Sequence, residues 1–264
     1  MRQMTPIASV LPGATPYKDG NVTDTWLGQL FVGKGKPPVH AILKDLPPKE
    51  LANELFGAAL ATALGLPVPP YFIAAATSSV LPVRKGPSRG SYKFMFATER
   101  QGTPPLKRHW TGTRIPQRLI DALARWPGNG TAFAFDTWVA NVDRNLGNIL
   151  FGGGTDIWLI DHGQCLTGPN WVAKNLNPSE SYKNKLALWF CPYLDKPRTS
   201  VLIAACSAMP THVKALDLTA IAQASRALDL LTESDGASMI SFLRDRAPIV
   251  PHVGSRQASP YGLF

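Results

Sequence analysis

Between Pro48 and Gly65 the apolar residues Leu51, Leu55, Ala58, Ala59 and Ala63 recur at helical spacing. Pro48 presets the first turn and Gly65 halts the run, which predicts a helix to about Leu64. On its N-terminal side the pattern becomes strand-like: Val22–Val32, carrying Trp26, Leu30 and Phe31, and Val39–Leu43 flank the turn Gly33–Pro38. Downstream, Pro69–Pro70 launches Tyr71–Ala76, and Ser91–Ala97 alternates in part. These runs read as strands of one small antiparallel sheet. Residues before Pro16 read as an arm, and Thr98–Gly102 as a linker to the rest of the chain.

Beyond the linker the period is helical. The run Ile115–Trp126 breaks at Pro127–Gly128, and Asn129 or Thr131 offers a cap for the next helix. That helix carries Phe133, Phe135, Trp138, Val139 and Val142 into a polar loop at Asp143. Ile149–Phe151, a glycine-rich turn and Ile157–Ile160 predict a hairpin ending on Asp161. After an irregular Gly163–Ser181, helices are expected at Tyr182–Phe190, Ser200–Ala208, Leu218–Thr232 and Ser238–Arg246, with Asp217 and Thr219 as starting residues. Pro248–Phe264 reads as a weakly structured tail. The fold class is therefore α+β in two lobes: 1–100, a small N-terminal antiparallel-sheet lobe, and 101–264, larger and mainly helical.

Charge adds one constraint. Lys and Arg number 27 against 18 Asp and Glu, a formal net charge of +9. The excess favours an anionic partner, whether nucleotide phosphate, acidic protein surface or lipid. It concentrates in Arg84, Lys85, Arg89, Lys93, Lys107, Arg108, Arg114 and Arg118, which read as a solvated face or a phosphate-facing rim. Trp110, Trp126, Trp138, Trp158, Trp171 and Trp189 do not alternate with basic residues, so they read as packing residues and direct nucleic-acid binding is not expected. Three cysteines without a close pair argue against a disulfide framework or structural zinc and favour a cytoplasmic location. The uncharged stretch Leu55–Val83 is interrupted by Pro67, Pro69, Pro70 and Pro82, so no membrane span is expected.

Candidate chemistry follows from polar residues in apolar settings. Glu54 falls on the buried positions of its helix, where a carboxylate needs a partner. Lys44 ends the preceding strand. A Lys44–Glu54 pair would hold an ammonium where it can bind phosphate oxygens; the alternative is two unrelated solvated charges. Asp143, Asn148 five positions on, and Asp161 thirteen further on supply oxygen donors of the kind a hard divalent cation prefers.

The stretches ILKDLPPKELANELFGAALATALGLPVP, SYKFMFATE, FDTWVANVDRNLGNILF and WLIDHG, in that order over about Ile42–Gly163, resemble the HipA-like kinases, bacterial relatives of the protein-kinase and phosphoinositide-kinase folds. The resemblance implies a protein-kinase-like fold and transfer from ATP, with Mg2+, to serine or threonine of a protein substrate. By it, Lys44 contacts the ATP phosphates and Glu54 orients Lys44. The backbone of Phe96, Ala97, Thr98 and Glu99 meets adenine, Asp143 faces the acceptor hydroxyl, and Asn148 and Asp161 bind magnesium. Some members are restrained by an antitoxin, so a regulatory protein is a possible partner. Val142 stands where many protein kinases carry arginine, Asn145 where the family often has histidine, and Asp161-His162-Gly163 where aspartate-phenylalanine-glycine is usual. A glycine-rich loop signature is absent. Two competing readings stay open: a catalytically inactive nucleotide-binding regulatory module, and a kinase acting on a lipid or small molecule.

Overall fold

The structure, a computed structural model, describes residues 3–17, 24–109, 114–153 and 156–259. Strands β1 (Ile7–Val10), β2 (Thr15–Pro16), β3 (Thr25–Phe31), β4 (Val39–Lys44), β5 (Tyr71–Thr77), β6 (Ser88–Arg89) and β7 (Tyr92–Glu99) form a seven-stranded sheet. Its order is β1-β5-β7-β4-β3-β2, with β6 hydrogen-bonded to β7. β4 carries Lys44 opposite Phe96 of β7, and Ala41 opposite Glu99.

The expected arm before Pro16 is instead part of this sheet. β1 pairs parallel with β5, Ile7 opposite Ile73, and antiparallel with β3. Its burial alternates, with Ala8 and Val10 inside. Four residues hold too little pattern to announce a strand, and the partner lies more than sixty residues away, so the pairing is invisible locally. The sheet is accordingly mixed rather than purely antiparallel. The strand expected over Val22–Val32 spans Thr25–Phe31, and Val22 lies outside the described residues.

Helix α1 (Pro48–Ala63) follows β4 as the spacing requires. It is buried on two faces. Leu51 and Leu55 pack with Leu46, Ile73 and Phe96 beneath the sheet, while Ala52, Phe56, Leu60 and Ala61 join the core of the larger lobe. A helix apolar on most sides is a helix clamped between two layers.

The larger lobe is built around α3 (Asn129–Trp138), preceded by α2 (Gln117–Arg125). Phe133, Phe135 and Trp138 of α3 are fully buried. The hairpin β8 (Ile149–Gly153) and β9 (Asp156–Leu159) follows, then α4 (Lys185–Phe190), α5 (Lys196–Lys214), α6 (Leu218–Ala224), α7 (Glu233–Arg246) and α8 (Val250–Ala258). α5 packs against both α3 and α8. Trp126, Trp138 and Trp171 are buried, and Trp110 lies outside the described residues. Cys165, Cys191 and Cys206 are buried and unpaired. Among the described residues no single helix is long and apolar enough to cross a membrane.

Three helical expectations need correction. The tail expected from Pro248 is largely α8, with Val253, Gly254, Gln257 and Ala258 buried. Pro251 falls in the first helical turn, where proline fits, and Gly254 lets the helix lie against Cys206, whose Sγ an added Cβ would clash with. The helix expected over Leu218–Thr232 ends at Ala224, because Arg226 adopts a left-handed conformation (φ 64°) before a 3-10 turn at Ala227–Leu230. α3 has no side-chain cap. Its N-cap is Gly128, and the Asn129 side chain donates to Leu123 and Ala124 carbonyls at the end of α2. Asp217 does cap α6, accepting from the Ala220 amide.

One glycine contact is a testable constraint. A Cβ at Gly57 in α1 would lie 2.7 Å from His162 Cβ and 3.2 Å from Cys165 Sγ. Gly57→Ala gains about 1 kcal/mol in helix propensity, but overpacking costs about 1–3 kcal/mol. Urea unfolding of Gly57→Ala should therefore show no stabilisation or a net loss; a clear gain would mean that α1 and the loop after β9 are not in tight contact.

Candidate active site

The loop after α3 is shaped by side chains that mimic backbone turns. Ala140 turns left-handed at φ 49°, and the Asn141 amide returns to the Asp136 carbonyl at 2.9 Å. Asn141 Oδ1 then accepts the Asp143 amide at 3.1 Å, and Asn145 Oδ1 accepts that of Gly147 at 2.7 Å. Asparagine suits such positions because its side chain hydrogen-bonds the backbone two residues on. The loop holds Asp143 partly exposed. Its Oδ2 accepts from Asn145 Nδ2 at 2.9 Å, and its Oδ1 is ion-paired with Lys185.

Beneath the loop lies Arg144, fully buried. Its Nε donates to Asp136 Oδ2 at 3.0 Å and its Nη2 to Oδ1 at 3.2 Å. Its Nη1 reaches the carbonyls of Asn148, at 3.2 Å, and Ile160, at 2.5 Å. Asp136 Oδ1 also accepts from Asn141. Burial works to lower the guanidinium's pKa, but the Asp136 carboxylate, with smaller help from Cys165 and Asp161, holds it above the ordinary value. One side chain thus ties the end of α3, the end of the loop and the residue before Asp161.

Asn148 donates Nδ2 to the Asp143 carbonyl at 2.8 Å, which leaves Oδ1 as its available donor oxygen to a cation. Its carbonyl accepts the Ile160 amide at 3.2 Å, so Asn148 and Asp161 flank one backbone pair. Asp161 itself is left-handed (φ 64°), a conformation aspartate tolerates better than most residues, and its side chain is 42% exposed. Lys44 Nζ lies 3.2 Å from Asp161 Oδ1 and 3.4 Å from Glu54 Oε1. Burial works against the Lys44 charge, yet Asp161 and Glu54 together raise its pKa above the usual lysine value.

Glu54 is 1% exposed; burial raises its pKa and so does the Asp161 charge, with Lys44 opposing. Glu50, one turn earlier, is raised by burial and then by Asp161. Lys44 is thus paired with two carboxylates, a local negative excess of the kind a divalent cation corrects. Among the described residues no cluster of three or more His, Cys, Asp or Glu converges as a self-sufficient metal site. Asn148 and Asp161 fit magnesium as a partial, oxygen-only set whose remaining positions would come from phosphate and water.

Three neighbours explain why this arrangement holds. Asn53 of α1 is buried and donates Nδ2 to the carbonyls of Gly163, Cys165 and Gly168 at 3.1, 3.0 and 3.3 Å, while its Oδ1 accepts from Trp171. At Gly163 a Cβ would come within 3.0 Å of Glu54 Oε2, so the loop runs directly against the carboxylate. His162 is buried against Phe135, and burial, then Arg144 and Lys44, push its pKa well below the ordinary value, which keeps it neutral. Its role here is packing.

The Phe96–Glu99 stretch lies in β7, paired with β5 and β4 on its two sides through Thr98. Phe96 and Ala97 are buried, and Thr98 and Glu99 partly exposed. The Glu99 amide goes to the Pro70 carbonyl and that of Arg100 to His40, both at 2.8 Å. Part of the basic cluster has a structural use: the amides of Arg84, Lys85 and Gly86 wrap the carboxylate of Asp45, the buried neighbour of Lys44, at 2.7–3.1 Å.

The structure therefore joins Lys44, Glu54 and Asp161 directly, and Asp143 with Asn148 through the loop. Sequence reasoning missed Asp45, Asn53, Asp136, Arg144 and Lys185. Asn53 and Asp136 carried a signal, each a polar residue within an apolar helix; Lys185 carried none. Arg144→Met should strand Asp136 as an unpaired buried charge and destabilise the chain by about 3–5 kcal/mol. Adding Asp136→Leu should recover part of that stability in urea unfolding. A loss below about 1 kcal/mol for the single variant, the range of an exposed pair, would show that this pair does not hold the loop.

A family model described as HipA-like kinase matches residues 39–177, more than half of the chain. No curated protein sequence matches. Among solved structures, the chain is similar to the Helicobacter pylori proinflammatory kinase CtkA, with a TM-score of 0.60 and 13% identity over 96% of this chain and 98% of that one. At that identity the likeness shows a shared two-lobed architecture. With the family match covering β4 to the loop beyond β9, and so Lys44, Glu54, Asp143, Asn148 and Asp161, the chain belongs to the HipA-like kinase family.

Proposed function

We propose that the protein is an ATP- and magnesium-dependent phosphotransferase whose acceptor is a serine or threonine hydroxyl of a protein, with 1–100 as the nucleotide-binding lobe and 101–264 as the catalytic lobe. The observation that carries this reading is Lys44 held between Glu54 and Asp161, next to a loop that presents Asp143 and Asn148. Lys44 would bind phosphate oxygens, and Glu54, too buried to meet solvent, would keep its ammonium in place. Asn148 and Asp161 would hold magnesium, which when bound supplies the positive charge that phosphoryl transfer requires. Asp143 would orient the acceptor hydroxyl and take its proton.

The backbone of Phe96, Ala97, Thr98 and Glu99 would meet adenine, a role that rests on the resemblance alone. A regulatory partner of the antitoxin kind rests on the resemblance alone. The inactive-module reading rests on the absent glycine-rich loop signature, while β1 and β2 fill out the small lobe.

Two variants separate metal holding from acceptor positioning. Asp161→Asn should weaken Mg–ATP binding at least about tenfold and abolish most transfer. Asp143→Asn should keep Mg–ATP affinity near the parent while turnover falls about 100- to 10,000-fold. Calorimetric titration with Mg–ATP and a transfer assay at saturating nucleotide read both. Parent-like metal dependence in Asp161→Asn would show that the metal site is misassigned.

A further inference from the structure

The Lys185–Asp143 ion pair is unexplained by the roles given so far. Both side chains are about a third exposed (39% and 33%), so the pair contributes little to stability. Yet the fold places it deliberately. Lys185 opens α4, and α4 is fastened to the catalytic loop and its helix at two points. Asn184 caps α4 through the Ala187 amide and donates Nδ2 to Thr137 Oγ1 of α3 at 2.9 Å. One turn after Lys185, Trp189 Nε1 donates to the Arg144 carbonyl at 2.9 Å. Leu186, Ala187 and Phe190 are buried beneath. The ammonium is thus delivered to Asp143 by a helix 42 residues downstream. The cation inside the loop, Arg144, is fully buried, with four of its five N–H donors spent.

We infer that Lys185 is a catalytic cation supplied from outside the loop, holding the Asp143 carboxylate in the free protein and bridging it to the phosphoryl group during transfer. This rests on the phosphotransferase reading above. An acceptor hydroxyl needs an Asp143 oxygen, and here Oδ1 holds Lys185 while Oδ2 holds Asn145; an arriving anion offers the ammonium a second partner. As the acceptor oxygen–phosphorus bond forms and the bond to the nucleoside diphosphate breaks, the hydroxyl proton passes to Asp143. Lys185 keeps its proton and contributes charge only.

The distinguishing readout is equilibrium binding of Mg–ATP against Mg–ADP to the full chain, because only the former carries the group Lys185 would touch. Lys185→Met should weaken ATP relative to ADP by about tenfold or more, the loss of one charge-assisted hydrogen bond, and lower turnover. Lys185→Arg should retain most of the preference. Lys183→Met, which removes the same charge from an exposed position nearby, should leave the ATP:ADP ratio as in the parent. Lys185→Gln serves as a second variant should Lys185→Met fold poorly. A parent-like ratio in folded Lys185→Met or Lys185→Gln, with a parent that transfers phosphate, overturns this inference and leaves the phosphotransferase reading standing. A parent that binds neither nucleotide overturns both.

Discussion

A fully buried guanidinium fixes the geometry of this site. Arg144 cannot be left with unused donors in an apolar interior, so the groups around it must converge on its planar fork. They come from three places: the Asp136 carboxylate on α3, the Asn148 carbonyl at the end of the loop, and the Ile160 carbonyl at the end of β9. Asp143 precedes Arg144, and Asp161 follows Ile160. The three polar residues that would do chemistry therefore flank, or are, residues bound by one buried charge. The pair is better understood as a device for geometry than for stability, since buried ion pairs seldom exceed an apolar replacement in energy.

The second constraint is the seat of α1. Its two buried faces make it part of both lobes, and its polar residues face the loop after β9. Asn53 gathers three carbonyls of that loop, Glu54 meets Lys44, and Gly57 lets His162 and Cys165 approach. Lys44 is thus positioned by a helix that is itself positioned by the loop carrying Asp161. The Lys44–Glu54 pair and the Asp161 carboxylate form one assembly, and displacement of α1 would disturb both together.

Much of this was legible in the chain. α1 announced itself through Pro48, Gly65 and its apolar spacing, the β8–β9 hairpin through its glycine-rich turn, and Glu54 through its place among buried positions. Those signals are local. What stayed hidden depends on partners distant in sequence: β1 lying along β5, the ammonium of Lys185 reaching Asp143, and the burial of Arg144, whose sequence setting is that of any loop arginine. α8 was hidden for a different reason. Pro251 and Gly254 carry breaker signals locally, and only the surface offered by α5 turns them into a first-turn proline and a close helix contact.

The proposed activity moves a phosphoryl group from ATP to a protein hydroxyl. The most direct measurement follows that group: incubate the chain with magnesium, ATP labelled at the terminal phosphoryl and dephosphorylated proteins, then identify the labelled product by mass spectrometry. Phosphoserine or phosphothreonine is the expected product, lost when magnesium is chelated and lost in Asp143→Ala. Label found in a lipid or small molecule, or ATP bound by the folded chain with no labelled product at all, would contradict it.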